Sequence, residues 1–175
     1  MNAEIISYRC QRAQWETARL LMGLSLPLGL SEMGLDDEAC RAAYDSMCED
    51  GLLCPSGDEV IVDRLFALLL TQASRADLAI AIRCEGRQIM LHRAPELVLL
   101  SEWTPASCEW TPLPTATAAR EPLFNLLRHI KAPVDLELLL PQGPARAETA
   151  QSPDAAREAL EQLYNAFCVE ILNRS

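Results

Sequence analysis

The strongest constraint on the fold is a two-residue periodicity that begins after Asp77. Apolar side chains recur at every second position from Leu78 to Cys84, which predicts a strand with one buried face. The turn EGR leads to a second predicted strand over residues 88–93, and the turn APE leads to a third over 97–103. Parallel neighbours would need a long crossover, so connections this short predict antiparallel pairing. We therefore expect an antiparallel sheet at the centre of the chain.

The stretch GLLCPSGDEVIVDRLF, residues 51–66, predicts the end of one helix, a short hairpin and the start of another helix. Asp36 is placed to cap the first of these helices. Asp63 is placed to cap the second, and residues 65–70 of that helix are apolar almost all round, which predicts burial on most of its faces. With an amphipathic helix over 11–24, this order of elements is typical of winged-helix modules.

The second half of the chain predicts two more helices and one more strand. Pro122 suits the start of a helix assigned to residues 118–130, and alternating apolar residues predict a strand over 134–140. Ser152 is placed to cap a last helix over 152–174. Two Pro-rich stretches, TPASCEWTPLPTATA and PQGPARAETAQ, predict an irregular edge segment and a flexible linker, respectively.

These elements predict the α+β class, with a winged-helix-like N-terminal half continuing into an antiparallel β-sheet flanked by helices. A length of 175 residues suits a single domain, 1–175. Its expected sub-parts are a winged-helix-like part (1–75), the antiparallel sheet with one helix (76–140) and the C-terminal helix (152–174).

Charge and cysteine content limit the classes of function. The formal net charge is −10, and an acidic surface repels phosphate backbones and anionic lipid. The seven cysteines form no C-x-x-C motif and only two histidines are present, so we expect reduced thiols, no disulfide and no zinc. The start MNAEIISYRC does not resemble a signal peptide, and no apolar run could span a bilayer. A cytoplasmic protein that does not associate with membranes is expected.

The predicted helix before the hairpin has the wrong charge for reading DNA. In a DNA-binding winged helix, this helix enters the major groove and presents cationic or amide side chains. Here Arg41 is the single base, and the acids are Asp36, Asp37, Glu38, Asp45, Glu49 and Asp50. We therefore expect no nucleic-acid partner. The alternative is a transcriptional regulator that contacts DNA outside this helix, around Arg9, Arg12 and Arg19.

No catalytic or cofactor-binding motif is present in the sequence. Asp135 and Glu137 share a face of a predicted strand, but the lysine and further acid of a nuclease-type metal site are missing, which favours a solvated edge. Cys84 and His92 lie on adjacent predicted strands, although the phase of Cys84 favours a buried, inert thiol. We predict no catalytic, metal-binding or cofactor-binding residue. An enzyme whose site forms only in three dimensions is a second alternative.

Residues 47–100, MCEDGLLCPSGDEVIVDRLFALLLTQASRADLAIAIRCEGRQIMLHRAPELVLL, resemble the EspG family of ESX (type VII) secretion-associated chaperones. In both, a helix ending in Gly-Leu leads through a short hairpin to a Leu-rich helix. A residue such as Asp77 then opens a meander of strands with a Gly-turn hairpin. The resemblance implies a bacterial cytosolic adaptor that holds the apolar tip of a helical secretion substrate and keeps it soluble.

The residues and the resemblance together predict a non-enzymatic, chaperone-like adaptor that binds an apolar surface of a protein partner. The apolar connection SLPLGLSEMGL supplies Leu28, Leu30 and Met33 as candidate partner-binding residues. The Pro/Thr-rich region supplies Trp103 and Trp110. Packing in the core is the alternative for both tryptophans.

Overall fold

The structure, a computed structural model, describes residues 7–174. In chain order the elements are β1 (Tyr8–Gln11), α1 (Arg12–Leu21), α2 (Asp37–Glu49), β2 (Leu53–Ser56), β3 (Glu59–Val62), α3 (Arg64–Ser74), β4 (Leu78–Cys84), β5 (Arg87–Arg93), β6 (Val98–Trp103), β7 (Ser107–Leu113), α4 (Ala116–Leu127), β8 (Val134–Leu140), β9 (Gly143–Ala150) and α5 (Pro153–Asn173). The predicted absence of a signal peptide concerns mainly residues 1–6, which lie outside the described residues.

Seven of the strands form one antiparallel sheet in the order β1-β7-β6-β5-β4-β8-β9. The three strands predicted from the two-residue period are its central meander, in which Ile80 pairs with Leu91 and Leu91 pairs with Leu100. The remaining strands, β2 and β3, form a separate hairpin. The predicted α+β class and the antiparallel pairing are confirmed.

Both faces of the sheet are covered. Leu78, Ile80 and Ile82 point to one face, where they pack with α4 and α5. Ala79 and Ala81 point to the other face and are buried in a second apolar cluster with residues of α1, α2, β2 and α3. The side chains of β4 alternate between these two clusters because successive residues of a strand point to opposite faces of its sheet.

Three helices begin at the side-chain caps that the sequence predicts. The carboxylate of Asp36 accepts a hydrogen bond from Ala39 N at 2.8 Å, and that of Asp63 accepts one from Phe66 N at 2.9 Å. The hydroxyl of Ser152 accepts from Ala155 N at 3.2 Å. Each cap satisfies a backbone donor that has no partner within the helix. The predicted helix–hairpin–helix and the C-terminal helix therefore begin as expected.

Three predictions for the Pro-rich regions are wrong. The stretch expected to be a linker is β9, and the stretch expected to be an irregular edge contains β7, which lies between β1 and β6. Helix α4 begins at Ala116, capped by Thr115, so Pro122 lies inside it instead of starting it. In each case pairing or packing between distant parts of the chain overrides local composition.

Candidate protein-interaction surface

Four exposed apolar side chains lie within nine consecutive residues of the N-terminal half. Val60 and Ile61 in β3 are 41% and 56% exposed, and Leu65 and Leu68 in α3 are 43% and 42% exposed. Asp63 alone separates the strand from the helix, and the two leucines, three positions apart, share a helix face. We call these four residues the β3–α3 surface. Because successive residues of a strand point to opposite faces, Val60 and Ile61 lie on opposite faces of the β2–β3 hairpin. Exposed apolar side chains this close together along a chain are typical of protein-interaction sites.

The opposite face of α3 belongs to the core. Phe66, Leu69 and Leu70 are buried, and the Phe66 ring stacks on Tyr8 with 5.4 Å between centroids. The cap at Asp63 fixes where the helix begins, and the start sets which side chains turn inward. Most of the helix is enclosed, as the sequence predicts: of its eleven residues, only Arg64, Leu65 and Leu68 are exposed. Leu65 and Leu68 are the apolar side chains that the core leaves uncovered.

The chain segment that contains the β3–α3 surface is acidic. Residues 36–64 contain two bases, Arg41 and Arg64, against nine acids: Asp36, Asp37, Glu38, Asp45, Glu49, Asp50, Asp58, Glu59 and Asp63. All but Asp63 are solvent-exposed. Complementary charge at the rim of an interface speeds association and excludes wrong partners. The chemistry of this region therefore favours an apolar partner flanked by basic side chains.

Leu28, Leu30 and Met33, predicted as partner-binding residues, lie in the connection between α1 and α2. That connection is tied to the sheet, because His92 Nε2 donates to Leu28 O at 2.8 Å and Gln88 Nε2 donates to Gly29 O at 2.9 Å. Leu28 and Leu30 pack against the second apolar cluster. All three side chains are half-buried, so only part of each is available to a partner.

Trp103 and Trp110, also predicted as partner-binding residues, are buried. Together with Trp15 they form an aromatic cluster, in which Trp103 lies edge-on to Trp15 at 4.9 Å and to Trp110 at 5.2 Å between centroids. The rings lie between α1 and strands β6 and β7, where they fill the core. This corrects the partner-binding assignment, because a buried ring cannot reach a partner while the fold is intact.

The carboxylates considered for a metal site have other partners. Glu137 pairs with Arg83, and Asp135 accepts a hydrogen bond from Thr149 Oγ1 at 2.6 Å. Strand β8 lies between β4 and β9, so the expectation that these acids occupy a sheet edge is wrong. Within residues 7–174, no group of three or more Cys, His, Asp or Glu side chains is arranged to hold a metal ion.

An open groove of about 590 Å³ lies beside the β4–β5 turn and contains Arg12, Arg83 and Arg87. Arg83 pairs with Glu137 and Arg87 pairs with Glu102. Arg12 lies over the Trp103 ring, 5.9 Å from its centroid. Since two of the three guanidinium groups already have a carboxylate partner, the groove lacks the cluster of free cations that an anionic ligand would need.

Cys84 and His92 do not form a catalytic pair. Cys84 packs on the α4 and α5 side of the sheet, whereas His92 reaches Leu28 O on the other side. Burial raises the pKa of Cys84 above its ordinary value, although nearby Arg87 partly opposes this. Burial also lowers the pKa of His92 to about 4. A protonated thiol and a neutral, enclosed imidazole give no activated nucleophile.

The arginines considered for DNA binding do not form a common basic face. Arg19 is buried and donates to Glu16 Oε1 at 2.7 Å, with a further hydrogen bond to Leu24 O at 2.7 Å. Arg12 is half-buried beside Trp103, and Arg9 is exposed on β1. Only one of the three is thus freely available to a phosphate backbone.

Comparison with known proteins gives no match: no protein-family model matches the chain, and no curated protein matches its sequence. Within residues 7–174, none of the helices combines the length and the apolar character that crossing a membrane requires.

Proposed function

We propose that this chain is a non-enzymatic adaptor of the chaperone type, which holds an apolar segment of a protein partner against the β3–α3 surface. One observation carries the proposal: Val60 and Ile61 on β3, and Leu65 and Leu68 on α3, remain exposed although all four are apolar. Their exposure is costly for a protein alone in water, and contact with a partner would remove that cost.

The energy available at this surface suits reversible binding. Full burial of a Val, Leu or Ile side chain contributes about 1.5–3 kcal/mol, and about half of each of these four is still exposed. Because Val60 and Ile61 point to opposite faces of their hairpin, one partner would cover three of the four, which would contribute roughly 3 kcal/mol before the cost of ordering the partner. An adaptor that must later release its partner needs an interaction of this modest size.

The partner that fits best is a helical segment with an apolar stripe and basic flanks. An amphipathic helix can place side chains at i, i+3, i+4 and i+7 on an apolar surface. Basic flanks would meet the exposed acids of residues 36–59. The resemblance to the EspG family agrees with this chemistry. Under the same proposal, the partner is a helical secretion substrate and the chain acts in the cytoplasm.

The test uses two synthetic amphipathic peptides with the same leucine stripe, one with lysine and one with glutamate on the polar face. Fluorescence anisotropy with the full chain should give tighter binding of the lysine peptide. I61S/L65S should weaken that binding about tenfold or more, because two apolar anchors are lost. V169S/L172S is the matched control, since both residues lie on α5 and are more than half exposed.

Equal binding by wild type and I61S/L65S, or an equal loss in V169S/L172S, would refute the proposed surface. Equal binding of the two peptides would refute the proposed partner chemistry. Circular dichroism of each variant separates a lost contact from a lost fold.

A further inference from the structure

Two of the seven cysteines face each other across neighbouring strands. Cys10 in β1 is the register partner of Cys108 in β7, and their sulfur atoms lie 3.3 Å apart. No other pair of cysteine sulfurs within residues 7–174 approaches to hydrogen-bonding distance. Both side chains are buried beneath α1 and the aromatic cluster.

The backbone around the pair already suits a covalent bond. Arg12 N donates a hydrogen bond to Ala106 O at 2.9 Å, so Arg12 and Ala106 form a hydrogen-bonded pair. This pair lies two positions along the strands from Cys10 and Cys108. Hydrogen-bonded and non-hydrogen-bonded residue pairs alternate along an antiparallel ladder, so Cys10 and Cys108 are also a hydrogen-bonded pair. The Cα atoms of such a pair are about 5.5 Å apart. Disulfides most often span about 5.5–6 Å between Cα atoms. The two sulfurs thus need to move together by only about 1.3 Å to reach the usual bond length.

We propose that Cys10 and Cys108 form a reversible cross-strand disulfide, which closes under an oxidising thiol–disulfide balance and joins β1 covalently to β7. With glutathione disulfide as oxidant, one protein thiolate attacks the glutathione disulfide and releases one glutathione. The second protein thiolate then displaces the other glutathione. Two protein thiols lose two electrons in total, and the glutathione disulfide is reduced to two glutathione thiols that take up the two protons. This replaces the expectation that all seven cysteines stay reduced.

The position of β1 controls when the reaction can occur. The hydrogen bond to Cys108 and burial raise the pKa of Cys10, so the Cys10 thiol is protonated, and both thiols are shielded from solvent while β1 is in place. Strand β1 has four residues and, among the strands described within residues 7–174, lies at the edge of the sheet with β7 as its one neighbour. Local opening of this strand is therefore the route by which an oxidant reaches the thiols. Once closed, the disulfide holds β1 and the start of α1 on the sheet.

The native full-length chain is incubated with glutathione disulfide, quenched with acid, alkylated in denaturant without reductant and digested with trypsin. The expected product is the peptide Cys10–Arg12 linked to residues 94–120, which contain Cys108 as their only cysteine. It should disappear after dithiothreitol treatment. The oxidised chain should also unfold at a higher temperature than the reduced chain, because the bond restricts the unfolded state.

C108S should abolish the linked peptide, whereas C54S should retain it, since Cys54 is exposed and lies in the separate β2–β3 hairpin. Recovery of Cys10 and Cys108 as free thiols, after Cys54 has become a mixed disulfide with glutathione, would overturn the proposal. A bond from Cys10 to any other cysteine would overturn it as well. The peptide map of the wild-type chain decides the question even if C108S fails to fold.

Discussion

His92 Nε2 donates a hydrogen bond to Leu28 O at 2.8 Å, and this bond ties the connection between α1 and α2 to the middle strands of the sheet. A carbonyl oxygen can only accept, so Nε2 carries the proton of the neutral ring. Nδ1 is buried without a hydrogen-bond partner. The ring can therefore stay in place only while it is uncharged.

Stability should consequently fall as His92 becomes protonated. Burial lowers its pKa from 6.5 to about 4. Between these values the unfolded chain binds the proton and the folded chain does not, so stability is complete above pH 6.5 and decreases as the pH falls toward 4. The loss over this window is about 3 kcal/mol from this residue. Urea unfolding at a series of pH values measures it.

Two variants isolate the contribution of His92 from that of the carboxylates. H92Q keeps a side-chain amide donor near Leu28 O but cannot titrate, so its stability should depend less on pH over that window. H129Q is the matched control, because His129 is exposed and is the only other histidine. If the unfolding free energy of H92Q changed with pH as steeply as that of the wild type, the assignment of this pH dependence to His92 would be wrong.

Substitution of Gly29 should destabilise the chain for a second reason besides its backbone conformation. It has a φ of +82°, and a Cβ there would collide with Leu139 Cδ1 and Met90 Cε. Gly34 has a φ of +66° with nothing within 4 Å of the same position. G34A should therefore cost about 1 kcal/mol from backbone strain alone, and G29A should cost roughly 1–3 kcal/mol more through overpacking. Equal losses in chemical denaturation would show that the connection does not press against the sheet.

Much of the fold could be predicted because local signals and tertiary structure agree. The caps at Asp36, Asp63 and Ser152 and the two-residue period of β4 each act over a few residues, so they are visible in the sequence. The Pro-rich composition of strands β7 and β9 predicted irregular structure at both places. Pro144 lies on the edge strand β9, where its missing N–H costs no hydrogen bond on the outer side, and Pro112 pairs with Leu99 of β6.

The candidate site was harder to predict than the fold. Leu65 and Leu68 belong to an almost continuous apolar run, and the sequence does not show which face of that run the rest of the chain covers. Conversely, Trp103 and Trp110 lie in or next to a region with the composition of a loop. This composition is compatible with either exposed or buried tryptophan side chains. Trp15, from a helix some ninety residues away, completes their burial. Both cases concern long-range packing, which composition does not encode.

Adjacent leucines of α3 should differ sharply in their contribution to stability. Leu68 is 42% exposed and Leu69 is 2% exposed, while both have the same helix propensity and neighbouring positions. L69A should destabilise the chain by about 2–5 kcal/mol through the cavity it leaves. L68A should change stability by about 0.5 kcal/mol or less. Urea unfolding compares the two, and similar losses would mean that Leu68 supports the fold and is not free to bind a partner.

Binding to the lysine peptide should depend only moderately on salt. Apolar burial contributes about 25 cal/mol per Å² largely irrespective of ionic strength, so affinity should fall less than about tenfold between about 50 and 200 mM salt. A protein held by six to ten phosphate contacts loses about 10³–10⁵ in affinity over the same range.

R41A removes the only base of α2 and should leave peptide binding intact. Gel-shift assays with duplex DNA complete the test: a specific complex that salt disrupts and R9A abolishes would support the regulator and contradict the adaptor.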